Sequence, residues 1–333
     1  MRTKEMRIAT LTLIAMFVAT MVIVPAAVGQ KNDFSTEKEY GELFLENMDQ
    51  SKKLIKPIPL NNMNGDLEAV SFSMKNGGYI IINVNDLSVP EFSLEGNSPF
   101  SDRTKTYVYN GPLAYMEDKQ GELFQIGMRN AVDEAVTPEY VYAVASVDKD
   151  KKLADLKALN NRMNARSIGS GSLDDSLRTW EDDNIFCGPI AAGITLIYFD
   201  DQHDDGFVDS SNENQDDLLS LIINGGYIPN QGTTALTIKN GLHDYLEDQN
   251  LDDDYSADSR YSFSFSKLKS LINSDKPAII LTVNHPTYSN HWLIAHGYVE
   301  LINYKYMIVN NGWGGNNVNV AVDGYIDDMV YID

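Results

Sequence analysis

The sequence predicts an α+β fold, in which helices and antiparallel strands occupy separate stretches of the chain. In the second half, an apolar helix beginning near Cys187 precedes two amphipathic helices, and strand-like segments come only afterwards. In the first half, alternating apolar and polar residues flank the turn Asn76–Gly78 and predict a hairpin. These observations favour a smaller α+β domain followed by the main one.

The N-terminus has the pattern of a secretory signal peptide. Three basic residues within the first seven precede an apolar run from residue 8 to 24, and the small residues 27–29 offer a cleavage site. We therefore expect residues 1–29 to be removed and the protein to be secreted and extracellular. The apolar run is long for a signal peptide, so an uncleaved membrane tether is the alternative.

Composition indicates an acidic globular protein. The chain has 333 residues, 43% of them hydrophobic, and a net charge of −22. Residues 166–333 hold 26 acidic residues against 8 basic ones. This charge argues against a nucleic-acid partner, and we interpret it as an aid to solubility outside the cell. We expect a monomer.

The first half begins with a helix and continues with strands. Ser35 or Thr36 caps a helix that runs to about Leu54. Leu67–Met74 and Tyr79–Val84 form the hairpin. Further alternating segments lie at 106–109, 113–116 and 123–126.

A change in composition marks the domain boundary. Asp148–Asn164 is charged and helix-prone, whereas Arg166–Ser176 is small and polar, as in a flexible or cleavable linker. We therefore divide the chain after the signal peptide into residues 30–165 and residues 166–333. The second segment has the usual size of one domain.

The second half opens with a helix that has no polar side. Pro189 suits a first helical turn, and the residues from Ile190 to Phe199 are apolar nearly all round, so this helix belongs in the core. The stretch from Gln231 to Thr234 opens the first of the two amphipathic helices, and Ser264 or Ser266 caps the second. Four strands follow, at Ala278–Val283, Trp292–Leu301, Tyr304–Asn310 and Tyr325–Ile332.

Cys187, the only cysteine, is a candidate nucleophile. The free amides and partial positive charge of a helix N-terminus favour a thiolate and lower a cysteine pKa. A buried structural cysteine is the alternative, because free cysteines are often buried. A single cysteine excludes an internal disulfide. Structural cysteines of exported proteins are usually paired in disulfides, so an unpaired cysteine gives mild support to the reactive role.

Two later motifs bear on this choice. They are N-H-W-L-I-A-H-G-Y-V from Asn290 and Y-M-I-V-N-N-G-W-G-G from Tyr306. With Cys187 before them, they resemble the histidine and asparagine motifs of papain-like cysteine peptidases. The resemblance implies that His291 is the base, that Asn311 orients it, and that Trp313 shields their contact from water.

The sequence departs from the papain pattern at the oxyanion site. Glu181 stands six residues before the cysteine, where papain-like enzymes carry a glutamine, so Asn184 is our candidate for the side-chain donor. The C-G-P-I-A-A form and the 104 residues from Cys187 to His291 look closer to bacteriocin-leader peptidases. The stretch from Gly77 looks like the inhibitory propeptide of the streptopain branch, which implies that the chain's own N-terminal prosegment is a partner. A permanent accessory domain is the alternative.

Several further residues bear on substrate binding and on metal binding. His291 and His296 differ by an odd number of positions, so on a regular strand they face opposite sides. Tyr227, Tyr288 and Trp292 are candidates for the wall of the cleft. The acidic stretch 200–217 imitates a calcium loop but lacks its twelfth ligand, and no metal site or cofactor is expected.

The sequence therefore predicts a secreted cysteine peptidase, made as a zymogen, that cleaves a protein or peptide substrate. An acyl transferase or amide-processing enzyme on the same triad is one alternative. The other is a catalytically inactive secreted binding module with a peptidase fold, which Glu181 favours.

Overall fold

The fold combines one large sheet with helices that cover it. In the computed structural model the described residues are 33–48, 50, 52–112, 115–126, 147–161, 169–180, 185–285, 289–312, 316–322 and 326–333. Within them lie six helices and fourteen strands, which confirms the predicted mixed α+β class. The signal-peptide prediction for residues 1–29 lies outside the described part.

The elements of the first half are mostly strands. Its helices are α1 (Ser35–Glu46) and α2 (Lys149–Asn161). Its strands are β1 (Leu54–Asn61), β2 (Leu67–Met74), β3 (Tyr79–Asn83), β4 (Glu91–Ser93), β5 (Thr106–Tyr109), β6 (Tyr115–Lys119) and β7 (Glu122–Gln125).

The second half contains the longer helices. They are α3 (Cys187–Gln202), α4 (Gln215–Asn224), α5 (Ala235–Asp248) and α6 (Phe265–Ile272). The strands are β8 (Gly169–Ser172), β9 (Ala257–Arg260), β10 (Ala278–His285), β11 (Ser289–Glu300), β12 (Lys305–Asn310), β13 (Val318–Ala321) and β14 (Ile326–Ile332). Among the described residues, no helix has the length and apolarity needed to cross a membrane.

A single sheet runs through both halves. Its strand order is β7-β6-β5-β1-β2-β3-β4-β13-β12-β11-β10-β14-β9. The pairs are antiparallel except for β1 with β5, which meet at Asn61 and Val108. β10 pairs with the first part of β11, and β8 pairs with its last part, from Gly297 to Glu300. β11 is therefore held along most of its length by three neighbours.

Helix α3 is buried against β10 and β11 because it has no polar side. Every residue from Gly188 to Asp200 is buried. Gly193 allows the close approach of its neighbours, since a Cβ there would lie 2.9 Å from the Trp180 ring. The sequence prediction of a core helix beginning at Cys187 is confirmed.

The two halves are joined by strand pairing and by aromatic packing. Phe92 of β4 lies opposite Asn319 of β13 in an antiparallel ladder. The Phe92 ring packs edge-on against Phe44 and Tyr306, with centroids 5.6 Å and 5.1 Å away. Residues Phe34–Asp333 form one compact unit. The division near residue 165 stays a prediction based on composition.

A buried carboxylate lies at the same junction. Glu91 is fully buried in β4, and its Oε1 accepts hydrogen bonds from the hydroxyls of Tyr79, at 3.0 Å, and of Tyr115. Burial raises the pKa of both tyrosines well above the ordinary value, and the Glu91 charge acts in the same direction. The tyrosine hydroxyls therefore stay protonated and satisfy the carboxylate that β4 carries inward.

The predicted helix from residue 36 to 54 is too long. Helix α1 ends at Glu46, and Leu54 begins strand β1, whose outer residues approach β5 only at Asn61. The sequence did not indicate strand β1 because Pro57 and Pro59 argue against a strand. Both prolines are tolerated because β5 pairs with β1 only at Asn61 and leaves the rest of that strand edge unpaired.

The predicted flexible linker at 166–176 is also partly wrong. Gly169–Ser172 forms β8, which pairs with β11. Small residues are needed here for close packing, since a Cβ on Gly171 would lie 2.7 Å from the Tyr298 ring. Residues 162–168 lie outside the described part.

The junction between the halves yields a stability prediction. We expect Phe92→Ala to lower the free energy of unfolding by about 3–5 kcal/mol, because it empties a fully buried aromatic site. Urea unfolding measured by circular dichroism tests this. Tyr261→Ala is the control, since that ring is 68% exposed and its loss should change stability by less than about 0.5 kcal/mol. Equal stabilities for both variants would contradict the packing at the junction.

Candidate active site

Cys187 lies at the N-terminus of α3, as the sequence predicts. Cys187 is the first helical residue, and the N-cap before it is Phe186, whose backbone is extended and whose side chain makes no capping hydrogen bond. The backbone N–H of Phe186 instead donates to Asn230 Oδ1 at 2.9 Å. The thiol is half-buried, whereas the Phe186 ring beside it is 52% exposed. Cys187 therefore lies at the boundary between the core and the solvent.

Two features of its surroundings shift the pKa of the Cys187 thiol in opposite directions. Burial raises the pKa of the Cys187 thiol, and the backbone N–H groups of Trp292, Cys187 and Gly188 act in the opposite direction. The amides of the helix N-terminus lower this pKa as the sequence predicts, but burial outweighs them and the net direction is upward. The Trp292 contact also places the sulfur at the His291 end of β11, because these two residues are adjacent.

His291 is a buried residue of β11. It lies opposite Thr282 of β10, whose hydroxyl donates to the His291 carbonyl at 3.2 Å, and it is 3% exposed. Its Nε2 is 2.9 Å from the backbone carbonyl oxygen of Asn311. A carbonyl only accepts, so this contact requires a proton on Nε2 and leaves Nδ1 as the basic nitrogen.

Asn311 follows the end of β12, and the side chain of the neighbouring Asn310 stabilises the turn that contains it. Asn310 is fully buried, its Nδ2 donates to the Arg178 carbonyl at 3.1 Å, and its Oδ1 accepts from Gly312 N–H at 2.8 Å. Gly312 has φ +71, a conformation that favours glycine. Sequence reasoning missed Asn310, and the only signal was the Asn-Asn pair itself.

The structure thus connects Cys187 to the strand of His291, and His291 to Asn311. Asn184 and Trp313, the candidates for the oxyanion donor and for shielding, lie outside the described residues, as do Glu181 and Tyr288. Trp292 is only 2% exposed, so it is not an open wall of a cleft as the sequence suggested.

His296 lies in the interior. It is 4% exposed, and the ladder between β11 and β12 shifts register between Ala295 and Gly297. Simple alternation along the strand therefore does not extend through His296. Its Nε2 makes no hydrogen bond to any residue that the structure describes. Burial lowers the pKa of His296 to about 4, although hydrogen bonding with the Val309 backbone and the Asn316 side chain favours the charged ring.

The acidic stretch 200–217 uses its carboxylates in local contacts. Asp201 pairs with Arg178 at 2.6 Å, and Asp200 and Asp209 accept backbone N–H groups at 2.8 Å and 2.9 Å. Across the described ranges, no group of three or more His, Cys, Asp or Glu residues could hold a metal ion.

The comparisons with known proteins agree with this arrangement. Residues 173–329 match the family model described as Peptidase_C39 like family. This region is similar in sequence to C39-like peptidases. The predicted resemblance to a papain-like cysteine peptidase of bacterial type is therefore confirmed, and Cys187, His291 and Asn311 all lie in the matched C39-like region. No curated protein matches the chain.

The burial of His296 predicts a pH effect on stability. Its pKa is lowered from 6.5 to about 4, so between these values the unfolded chain binds a proton that the folded protein does not. Its contribution is fully present above pH 6.5 and is lost as the pH falls toward 4, by about 3 kcal/mol in total.

We therefore expect His296→Gln to reduce the loss of stability between pH 6.5 and 4, as measured by urea unfolding at several pH values. Glutamine is close in size and does not titrate. Parallel pH curves for the variant and the wild-type protein would show that His296 does not stay neutral in the interior.

Proposed function

We propose that the protein is an exported cysteine peptidase that hydrolyses peptide bonds through Cys187, His291 and Asn311. The observation that carries the proposal is the C39-like match over a region in which a helix N-terminal cysteine contacts the strand of a buried histidine. The Asn311 contact on Nε2 supports a base with one defined tautomer.

The first step is proton transfer from the thiol to His291. Because burial raises the pKa of Cys187, the thiolate forms together with an imidazolium, and Nδ1 of His291 takes the proton. The amides of Trp292, Cys187 and Gly188 stabilise the sulfur anion. The thiolate then attacks the peptide carbonyl carbon, and the carbonyl π electrons move to its oxygen.

The resulting oxyanion needs donors that are already in position. The Cys187 backbone N–H supplies one, and we assign the second to the Asn184 side chain. Collapse of the intermediate breaks the C–N bond, and His291 gives its proton to the leaving amine. Water then attacks the thioester with His291 as base, which releases the acid and restores the thiol.

The raised thiol pKa favours one competing function. A cysteine that stays protonated would leave an inactive secreted binding module on the same fold. An acyl transferase would share the first half-reaction and differ only in the group that accepts the acyl chain. Thiol reactivity at low pH distinguishes the inactive binding module from an enzyme.

Alkylation of Cys187 tests the proposal. We expect iodoacetamide at mildly acidic pH to label wild-type protein, because only a thiolate–imidazolium pair reacts there. His291→Ala should lower the labelling rate by about a hundredfold, as loss of a general base does. Mass spectrometry of the intact protein gives the rates.

The matched control is His296→Gln, which removes the other histidine of β11. It should label at the wild-type rate. If it loses labelling and His291→Ala keeps it, the base is assigned to the wrong histidine. If the wild-type protein is not labelled, the protein is not a cysteine peptidase of this kind.

We further propose that residues 30–165 are an inhibitory prosegment. The support is the contact that this part makes with the chain just after the asparagine motif. Ser93 Oγ donates to the Asn317 carbonyl at 3.0 Å, and Asn317 Nδ2 donates to Glu95 at 3.3 Å. The hairpin turn at Gly77–Gly78 takes no part in this contact and packs beside Gly96 of its own half.

The zymogen proposal predicts self-processing. Purified wild-type precursor should convert to a fragment of roughly 18 kDa, the size of one domain of about 165 residues, with a rise in activity. The Cys187→Ala precursor should remain intact alone and be trimmed when active enzyme is added. Gel electrophoresis with a peptidase assay follows both. A full-length wild-type protein with full activity would make the first half a permanent accessory domain.

A further inference from the structure

We propose that residues Asn230–Thr233, here called the docking loop, set the position of the nucleophile relative to the base, with Thr233 as a positioning residue. The inference rests on the proposed peptidase function and adds a residue to its site. The loop lies more than forty positions beyond Cys187 and nearly sixty before Trp292. It contacts both of the elements that carry the reacting groups.

The docking loop holds the helix on both sides of the nucleophile. Asn230 Oδ1 accepts the N–H of Phe186, the residue before Cys187, at 2.9 Å. On the other side, the Thr233 side chain packs directly on Gly188, since a Cβ there would lie 2.5 Å from Thr233 Oγ1. The backbone that carries the thiol is therefore fixed at both neighbours of Cys187.

The same threonine holds the strand that carries the base. The indole N–H of Trp292 donates to Thr233 Oγ1 at 2.9 Å. Trp292 is only 2% exposed, so the indole in this hydrogen bond is shielded from solvent. The Trp292 backbone N–H in turn faces the Cys187 sulfur. Thr233 is thus the point at which the helix and the strand meet next to the reacting atoms.

The docking loop is itself fixed by the start of α5. Thr234 is the N-cap, and it forms a reciprocal capping box with Thr237. Gly232 has φ +68, which lets the chain turn sharply just before Thr233. A rigid support of this kind is what a reacting pair requires, because small misplacements at a site lower rates strongly.

The test compares two substitutions at one position. Thr233→Val keeps the branched shape and removes the acceptor, whereas Thr233→Ser keeps the acceptor. We expect Val to lower the rate of Cys187 alkylation by about tenfold or more, the order expected for a lost hydrogen bond, and to move the pH midpoint of labelling upward. Ser should retain most of the rate and the wild-type midpoint.

Thr195→Val is the matched control. Thr195 is a buried threonine of α3 that donates only to Ala191 of its own helix, so its loss should leave the pH profile of labelling unchanged. Wild-type labelling by Thr233→Val, or equal losses in Val and Ser, would overturn the positioning role. A shift of the midpoint in Thr195→Val would overturn it as well.

A second measurement separates this inference from the proposed function. In Cys187→Ala protein labelled with ¹⁵N at its indoles, the Trp292 indole N–H should exchange slowly with solvent. Adding Thr233→Val should speed that exchange, and adding Thr233→Ser should not. Fast exchange in Cys187→Ala alone would refute the Thr233 contact, whatever the enzyme does. Absence of labelling with slow indole exchange would refute only the peptidase proposal.

Discussion

The site depends on the burial of α3 against β11. The helix is apolar on every side, so it enters the core, and its first residue Cys187 is carried to the edge of that core. Strand β11 is held by β8, β10 and β12, which leaves its residues little freedom. Cys187 therefore contacts the strand of His291 because two buried elements pack together, and the docking loop touches both of them.

Burial has an electrostatic cost for the same site. Each unit by which the pKa of Cys187 rises opposes the thiolate by about 1.4 kcal/mol. Three backbone amides and the proton affinity of His291 have to offset that cost. Under the proposed function, a thiol with a raised pKa would be unreactive until His291 takes its proton. The contact of His291 Nε2 with the Asn311 carbonyl places the imidazole proton on Nε2, so Nδ1 is the nitrogen that could accept a proton.

The sequence predicted what strong local patterns encode. Helix α3 and strands β10 to β12 follow from long apolar runs, and the order of cysteine, histidine and asparagine follows from motifs. Strand β1 was hidden by Pro57 and Pro59, and β8 by glycines and serines that only a neighbouring strand explains. Thr233 could not be predicted, because its role comes from two partners distant in sequence. Counting alternate positions along β11 does not reliably predict which face each histidine occupies, since the strand pairing shifts register at His296.

The pairing of β4 with β13 bears on how a prosegment could act. Strand β13 lies between β12 and β4, so loss of β4 would leave an open edge and uncover the Tyr306 ring. Cleavage near residue 165 breaks one peptide bond and leaves this pairing, the aromatic packing and the buried Glu91 contacts in place. An inhibitory first half would therefore remain bound after cleavage until those contacts are broken. The contacts of Ser93 and Glu95 with Asn317 can change without loss of the shared sheet, and Asn317 lies a few positions after Asn311. If the first half inhibits the enzyme, a local shift at Asn317 would break fewer contacts than departure of the whole first half.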